Sequence, residues 1–235
     1  MNLSARSYKK ELLDGSNIPF ADIRRNMQEL NVINTWLGGH AITIEGFRKI
    51  LGNKTAVSVC EIGCGGGDNL LEIYRWCHRN SIDVELIGID LNKDCIAVAS
   101  AQLPAGVELI TADYKDVDFA DNRPDIIFSS LFCHHFTNEA LLYMLQWMQN
   151  NASEGFFIND LHRHVLAFYS IKILTGLFSK SYLVKNDAPL SVARGFTRKE
   201  WMDLLQQSGI RHGKLQWKWA FRWLITSSTD KSTHL

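Results

Sequence analysis

An acid, four closely spaced glycines and a second acid follow one another in Glu61-Ile62-Gly63-Cys64-Gly65-Gly66-Gly67-Asp68, directly after an apolar run. This grouping suits a turn that holds a small molecule. Glycine lets the backbone adopt positive φ and approach a ligand closely, and a helix starting beyond it offers free N–H groups and a positive dipole end. Further along, Asp90 ends the run Val84–Ile89, Asp113 and Tyr114 end Val107–Ala112, and Ser130 lies near the end of Asp125–Phe132. A carboxylate at the first position can accept from the two hydroxyls of a ribose. Asp113 can accept from an exocyclic adenine amine, with Tyr114 over the ring. Two histidine clusters come next, Cys133-His134-His135-Phe136 and Leu161-His162-Arg163-His164. An imidazole with a reference pKa of about 6.5 can take the proton of a hydroxyl near neutral pH.

For these groups to meet, strands must end side by side. Ala56–Cys60 reads as a buried parallel strand, and Leu70, Leu71, Ile73, Trp76 and Cys77 recur at helical spacing after the glycine turn. The same strand-then-helix alternation predicts a helix over 95–103 stopped by Pro104, and one from Thr137 with Leu141, Met144, Leu145 and Met148 on its buried stripe. Gly155–Asp160 is a fifth strand, and 165–178 is an apolar helix, either laid over the substrate side or a plain core helix. Residues 179–195 read as a loop. Thr197-Arg198-Lys199-Glu200 is a capping box opening a final helix, and 214–219 with 221–226 alternate as two closing strands. Before the sheet, Ile23, Met27, Leu30, Ile33 and Leu37 form one apolar stripe ended by Gly38-Gly39, followed by a short helix over 43–51. Trp36 is expected to anchor this cap on the core, with Gly38 and His40 within reach of a ligand. Arg194 reads as a surface ion pair, with a contact to a substrate carboxylate as the alternative.

Composition sets limits. The 235 residues suffice for one sizeable α/β domain. Lys plus Arg and Asp plus Glu are 25 each, so bulk charge argues for neither nucleic acid nor an anionic membrane, although a local patch can exist. Small molecules are the default partner. The five cysteines contain no Cys-x-x-Cys pair, which fits a reduced, cytoplasmic setting. No stretch approaches the roughly 20 apolar residues of a membrane span.

The pattern Glu61-x-Gly63-x-Gly65-x-Gly67 resembles motif I of the class I S-adenosylmethionine-dependent methyltransferases. A dinucleotide fold would instead want its third glycine at position 68, where Asp68 stands. Asp90, Asp113 and the loop after the fourth strand resemble the family's later motifs, in order. The resemblance implies a Rossmann-like, seven-stranded, mostly parallel sheet with a C-terminal antiparallel hairpin. It divides the chain into a helical cap (1–53), a core (54–226) with a substrate-side insertion at about 162–196, and a disordered tail (227–235). It implies S-adenosylmethionine as cofactor, held by Glu61, Gly63, Cys64, Gly65, Asp90, Leu91, Asp113, Tyr114 and Ser130, with no metal. The regions around the sheet resemble methyltransferases beside polyketide, phenolic or quinone-like pathways, which implies O-methylation of a small aromatic molecule with His135 or His162 as base. Plant-type phenolic enzymes carry their base where this chain has Ala140, which takes no proton. Three rivals stand beside this reading: C-methylation of a quinone-like substrate, a non-catalytic cofactor-binding protein, and a nicotinamide oxidoreductase. A nucleic-acid methyltransferase would want a Pro-Pro-aromatic signature where Ser129-Ser130-Leu131-Phe132 stands.

Overall fold

The computed structural model describes residues 3–15 and 17–229. Seven strands form one sheet in the order β3-β2-β1-β4-β5-β7-β6: β1 (Ala56–Ile62), β2 (Asp83–Asp90), β3 (Glu108–Thr111), β4 (Ile126–Ser130), β5 (Gly155–Leu161), β6 (Lys214–Lys218) and β7 (Arg222–Ser228). The first five run parallel, and β7 enters antiparallel between β5 and β6. The expected architecture, closing hairpin included, is therefore present.

Side-chain alternation divides the sheet's two faces. On β4, Ile126 and Phe128 point to one side and Ile127 to the other, and Phe156 and Phe157 divide the same way on β5. The helices α2 (Gly39–Leu51) and α3 (Asp68–Arg79) cover the first face, and α4 (Lys93–Gln102) continues that layer. Opposite lie α5 (Asn138–Asn151) and α8 (Arg198–Gln207), whose Leu141, Met144, Trp201 and Leu204 are buried. Thr197 and Glu200 form the capping box read from the sequence. Helix α1 (Phe20–Trp36) and a hairpin of α6 (Val165–Phe178) and α7 (Tyr182–Arg194) cross above the carboxyl ends of the strands.

Several expectations change. Residues 179–195 are mostly helix, because Ser181 caps α7 and its buried Leu183, Val184, Val192 and Ala193 outweigh the bond that Pro189 cannot donate. Helix α2 begins at Gly39, four residues earlier than read. The stripe of α1 faces the strand ends, and Trp36, off that stripe, is 84% exposed and anchors nothing. Strand β7 runs through Ser228, two residues into the expected tail, and 230–235 lie outside the described residues. Arg194 is buried, not on the surface.

The seat of α2 gives a stability test. A Cβ on Gly46 would stand 2.6 Å from the ring of Phe157, itself stacked on Phe128 at 4.7 Å, whereas one on Gly176 of α6 would meet nothing within 4 Å. Gly46→Ala is expected to lower the unfolding free energy by about 1–3 kcal/mol through overpacking. Gly176→Ala should raise it by up to about 1 kcal/mol through helix propensity. Urea denaturation of the two variants reads both signs.

Candidate active site

A cavity of about 900 Å³ opens at the carboxyl ends of β1, β2 and β4, under α1, α6, α7 and the N-terminal segment. Ten of the eleven residues singled out from sequence line it: Glu61, Gly63, Cys64, Gly65, Asp90, Leu91, Asp113, Tyr114, Ser130 and His135. His162 does not. It sits just past the carboxyl end of β5, where Trp217 Nε1 donates to its Nδ1 at 3.1 Å and burial lowers its pKa.

The glycine turn is braced from the neighbouring strand. Gly63 and Gly65 take φ of +68° and +52°, and a Cβ on Gly63 would run into the ring of Phe132. Asp90 accepts from the backbone N–H of Gly65 at 2.9 Å and of Asn92 at 2.8 Å, so one carboxylate ties the turn after β1 to the end of β2. Burial raises the Asp90 pKa against those two bonds. Glu61 is more confined: Asn69 donates to its Oε1, but its buried Oε2 has no partner. Burial and the nearby charges of Asp68 and Asp90 push its pKa well up. An orphaned, buried carboxylate oxygen beside a glycine turn fits a cationic group such as the ammonium of an amino acid. Asp113 caps its own 3-10 turn, and Tyr114 is buried edge-on against Trp147.

Opposite this half stands a network of buried charges. His134 Nδ1 lies 2.8 Å from Asp160 Oδ1, and its Nε2 faces Glu11 Oε1 at 3.6 Å. Burial alone would lower the His134 pKa, but the two carboxylates raise it to about 9. The adjacent His135 places Nδ1 at 3.2 Å from Asp14 Oδ1 and Nε2 at 3.7 Å from Glu11 Oε2. Arg194 Nε donates to the His134 carbonyl at 3.1 Å and its Nη1 to that of Lys9 at 2.7 Å. Arg6 reaches the carbonyls of Arg194 and Phe136. Burial raises Glu11, Asp14 and Asp160, yet the histidines outweigh it: all three carboxyls lie below their usual range, Asp14 at about 2. Glu11, His134 and His135 each present a ligand atom within 4.8 Å of the others, a donor set of the kind that holds a metal ion.

Sequence reading missed Glu11, Asp14, Asp160 and Arg222. Arg222 and the two N-terminal acids line the cavity, and Asp160 stands behind His134. The first two lie in a segment without periodicity, where Glu11-x-x-Asp14 forms a reciprocal cap and was the one available sign. Trp36, Gly38 and His40 stay out of the cavity; Asn34 and Leu37 take their place, and His40 bonds Asn69 and Asn31.

Comparison with known proteins adds a domain match and a fold likeness. Residues 59–155, from within β1 to the first residue of β5, match the family model of a methyltransferase domain. No curated protein matches the chain in sequence. Among solved structures, the plantazolicin methyltransferase BpumL, crystallised with a monoazolic desmethyl analogue and SAH, superposes with a TM-score of 0.65 at 18% identity over 89% of each chain. A SAM-dependent methyltransferase from Aquifex aeolicus gives 0.55 at 18% identity, over 78% of this chain and 88% of that one. The magnesium protoporphyrin IX methyltransferase of Synechocystis PCC 6803 with bound SAH gives 0.51 at 14% identity, over 92% and 90%. At these identities the likeness is one of fold.

The charge network sets a pH window for stability. The folded pKa of His134, about 9, lies above its unfolded value, so its contribution is complete below about pH 6.5 and is lost as pH rises through 9. The depressed carboxyls contribute fully above their unfolded values of about 4 and lose that contribution as pH falls through their folded ones. Urea midpoints are therefore expected to peak near pH 6 and to fall by pH 9. His134→Asn should abolish the alkaline fall; a wild-type curve level from pH 6.5 to 9 would show that His134 carries no extra proton.

Proposed function

We propose that this chain, which carries a class I S-adenosylmethionine-dependent methyltransferase domain, methylates a hydroxyl of a small aromatic or polyketide-like molecule. The observation that carries the hydroxyl reading is His135 in the cavity wall, with its Nδ1 held against Asp14. The cavity, at about 900 Å³, is near the upper end of the roughly 300–1,000 Å³ that ligand pockets span, which leaves room beside a cofactor. Its far wall is apolar, formed by Leu30, Ile33, Ile171, Leu174 and Val192.

On this reading Asp90 accepts from the ribose hydroxyls, Glu61 Oε2 receives the ammonium of the amino-acid end, and Asp113 accepts from the adenine amine, while Tyr114, buried against Trp147, backs that wall instead of covering the ring. Gly63, Cys64, Gly65, Leu91 and Ser130 shape the cofactor side. When bound, S-adenosylmethionine supplies a methyl group on a sulfonium, a strong electrophile that needs in-line alignment more than activation. Asp14 holds the Nδ1–H tautomer of His135, and Nε2, 3.7 Å from Glu11 Oε2, takes the acceptor's proton as oxygen attacks, the charge that develops on the ring facing both carboxylates. A phenol with a pKa near 10 gains from such a base at neutral pH. The N-terminal segment, α1 and the α6–α7 hairpin exclude water from the transfer. His162, outside the cavity, takes no part.

Two expectations separate the roles. Asp90→Ala removes charge-assisted acceptor bonds and the brace on Gly65, so the dissociation constant for SAH, read by calorimetry, should rise at least about tenfold. His135→Ala should lower turnover by about 100-fold to 10,000-fold with SAH affinity nearly unchanged, and alkaline pH should partly restore it. His162→Ala should keep full activity. The reaction is expected to proceed in EDTA; loss on chelation would reassign Glu11, His134 and His135 to a metal. Full activity in the His135 variant would point to a carbon acceptor or a base-free transfer.

A further inference from the structure

Helix α6 is apolar on faces that serve different purposes. Ala167, Ser170, Ile171 and Leu174 line the cavity, while Phe168 and Thr175 are buried in the protein. A further arc, Val165, Leu166, Tyr169, Ile173 and Leu177 at steps of one, three and four, is exposed. Beyond it Phe178 is 77% exposed, and Tyr182 at the start of α7 is exposed as well. A contiguous row of large exposed side chains on one helix is more than the scattered apolar residues of an ordinary surface. The helix packs principally on α7, and among the described residues none covers the outer arc.

Charge identifies what suits this face. Helix α6 contains no Asp or Glu, and Lys172, Lys180 and Lys185 are exposed beside or just beyond it. Of the acids on α1, Glu29 is occupied by the Ser179 hydroxyl and the backbone N–H groups of Lys180 and Ser181, and Asp22 bonds Tyr182. An apolar arc with basic residues at its rim is the pattern of a helix that lies in a membrane interface, apolar side chains among the acyl chains and ammonium groups near anionic headgroups. Fourteen residues, about 21 Å of helix, are too few to span a bilayer. Neutral overall charge does not oppose this, because the attraction acts within about a Debye length of the surface.

We propose that the outer face of α6 docks the protein on an anionic lipid surface, and that the acceptor is an amphiphile drawn from that surface into the cavity behind the same helix. The helical wheel supports the path: the exposed arc continues through Ser170 into the cavity wall at Leu174, Ala167 and Ile171. A hydroxyl head then reaches His135 while an apolar body stays along Ile171 and Leu174. The substrate half rests on the reading of the cavity as a small-molecule methyl-transfer site; the docking half does not.

Flotation with vesicles tests the docking without turnover. The full chain is expected to float with phosphatidylcholine vesicles containing phosphatidylglycerol, less with phosphatidylcholine alone, and less again as salt is raised. The double variant Ile173→Glu/Leu177→Glu, which changes no cavity-lining residue, should lose at least about tenfold in vesicle affinity while binding SAH as the wild type does. Wild-type protein that stays unbound with both vesicle types overturns the proposal, as does a double variant that floats equally well. A wild-type dimer that the variant converts to monomer, with no flotation, would assign the face to self-association. Methyl release from a water-soluble phenol, measured in parallel without vesicles, keeps a failure of the enzyme reading distinct from a failure of docking.

Discussion

The carboxylate of Asp160 is the constraint around which one side of the cavity is arranged. It is fully buried at the end of β5, next to the chain reversal that leads toward α6. A buried carboxylate must be paired, and this one is paired by the His134 imidazole and by the backbone N–H groups of His134 and Leu161. His134 in turn faces Glu11, and Arg194 beside it holds its carbonyl and that of Lys9. One buried charge thus fixes the loop after β4, the end of α7 and the N-terminal segment relative to one another. Because each member leaves another charge unpaired if removed, the group behaves as a unit, and additive reading of single substitutions will fail within it.

The opposite side is organised by a different economy of bonds. Asp90 spends two acceptor positions on the backbone of Gly65 and Asn92, so the turn exists in its bent form before any ligand arrives. Glu61 has the reverse character, with one oxygen satisfied and one bare. A pre-shaped turn beside an unsatisfied acceptor lowers the ordering cost of binding and makes a cation the preferred occupant.

What the sequence disclosed follows from where its signals are local. Strand-end acids, the glycine turn and the capping box at Thr197 are each read within a few residues, and the structure brings ten of the eleven chosen positions to one cavity. Helix α7 was hidden because Pro189 and Asp187 look like loop residues, while its real determinant is burial against the segment at Glu11–Leu13, which Asp187 and Ser191 contact. His162 looked equivalent to His135 because both follow strands. Their difference, one facing a cavity and the other a tryptophan, lies in tertiary packing. Glu11 and Asp14 carried only the three-residue spacing of a cap, since a mostly extended segment laid across a surface needs no periodicity.

That extended segment also bears on how the protein is made. Arg6, Glu11 and Asp14 leave the ribosome well before their partners, and Glu11 and Ser191 are 180 positions apart. At about 5–20 residues per second, roughly 9–36 s of synthesis separate the two. Glu11 and Asp14 meet neither His134 nor His135 until the chain has passed β4, and Ser191 and Arg194 follow only after β1 to β5 are complete. Nascent chains halted before α7 would therefore own a glycine turn without a finished chamber.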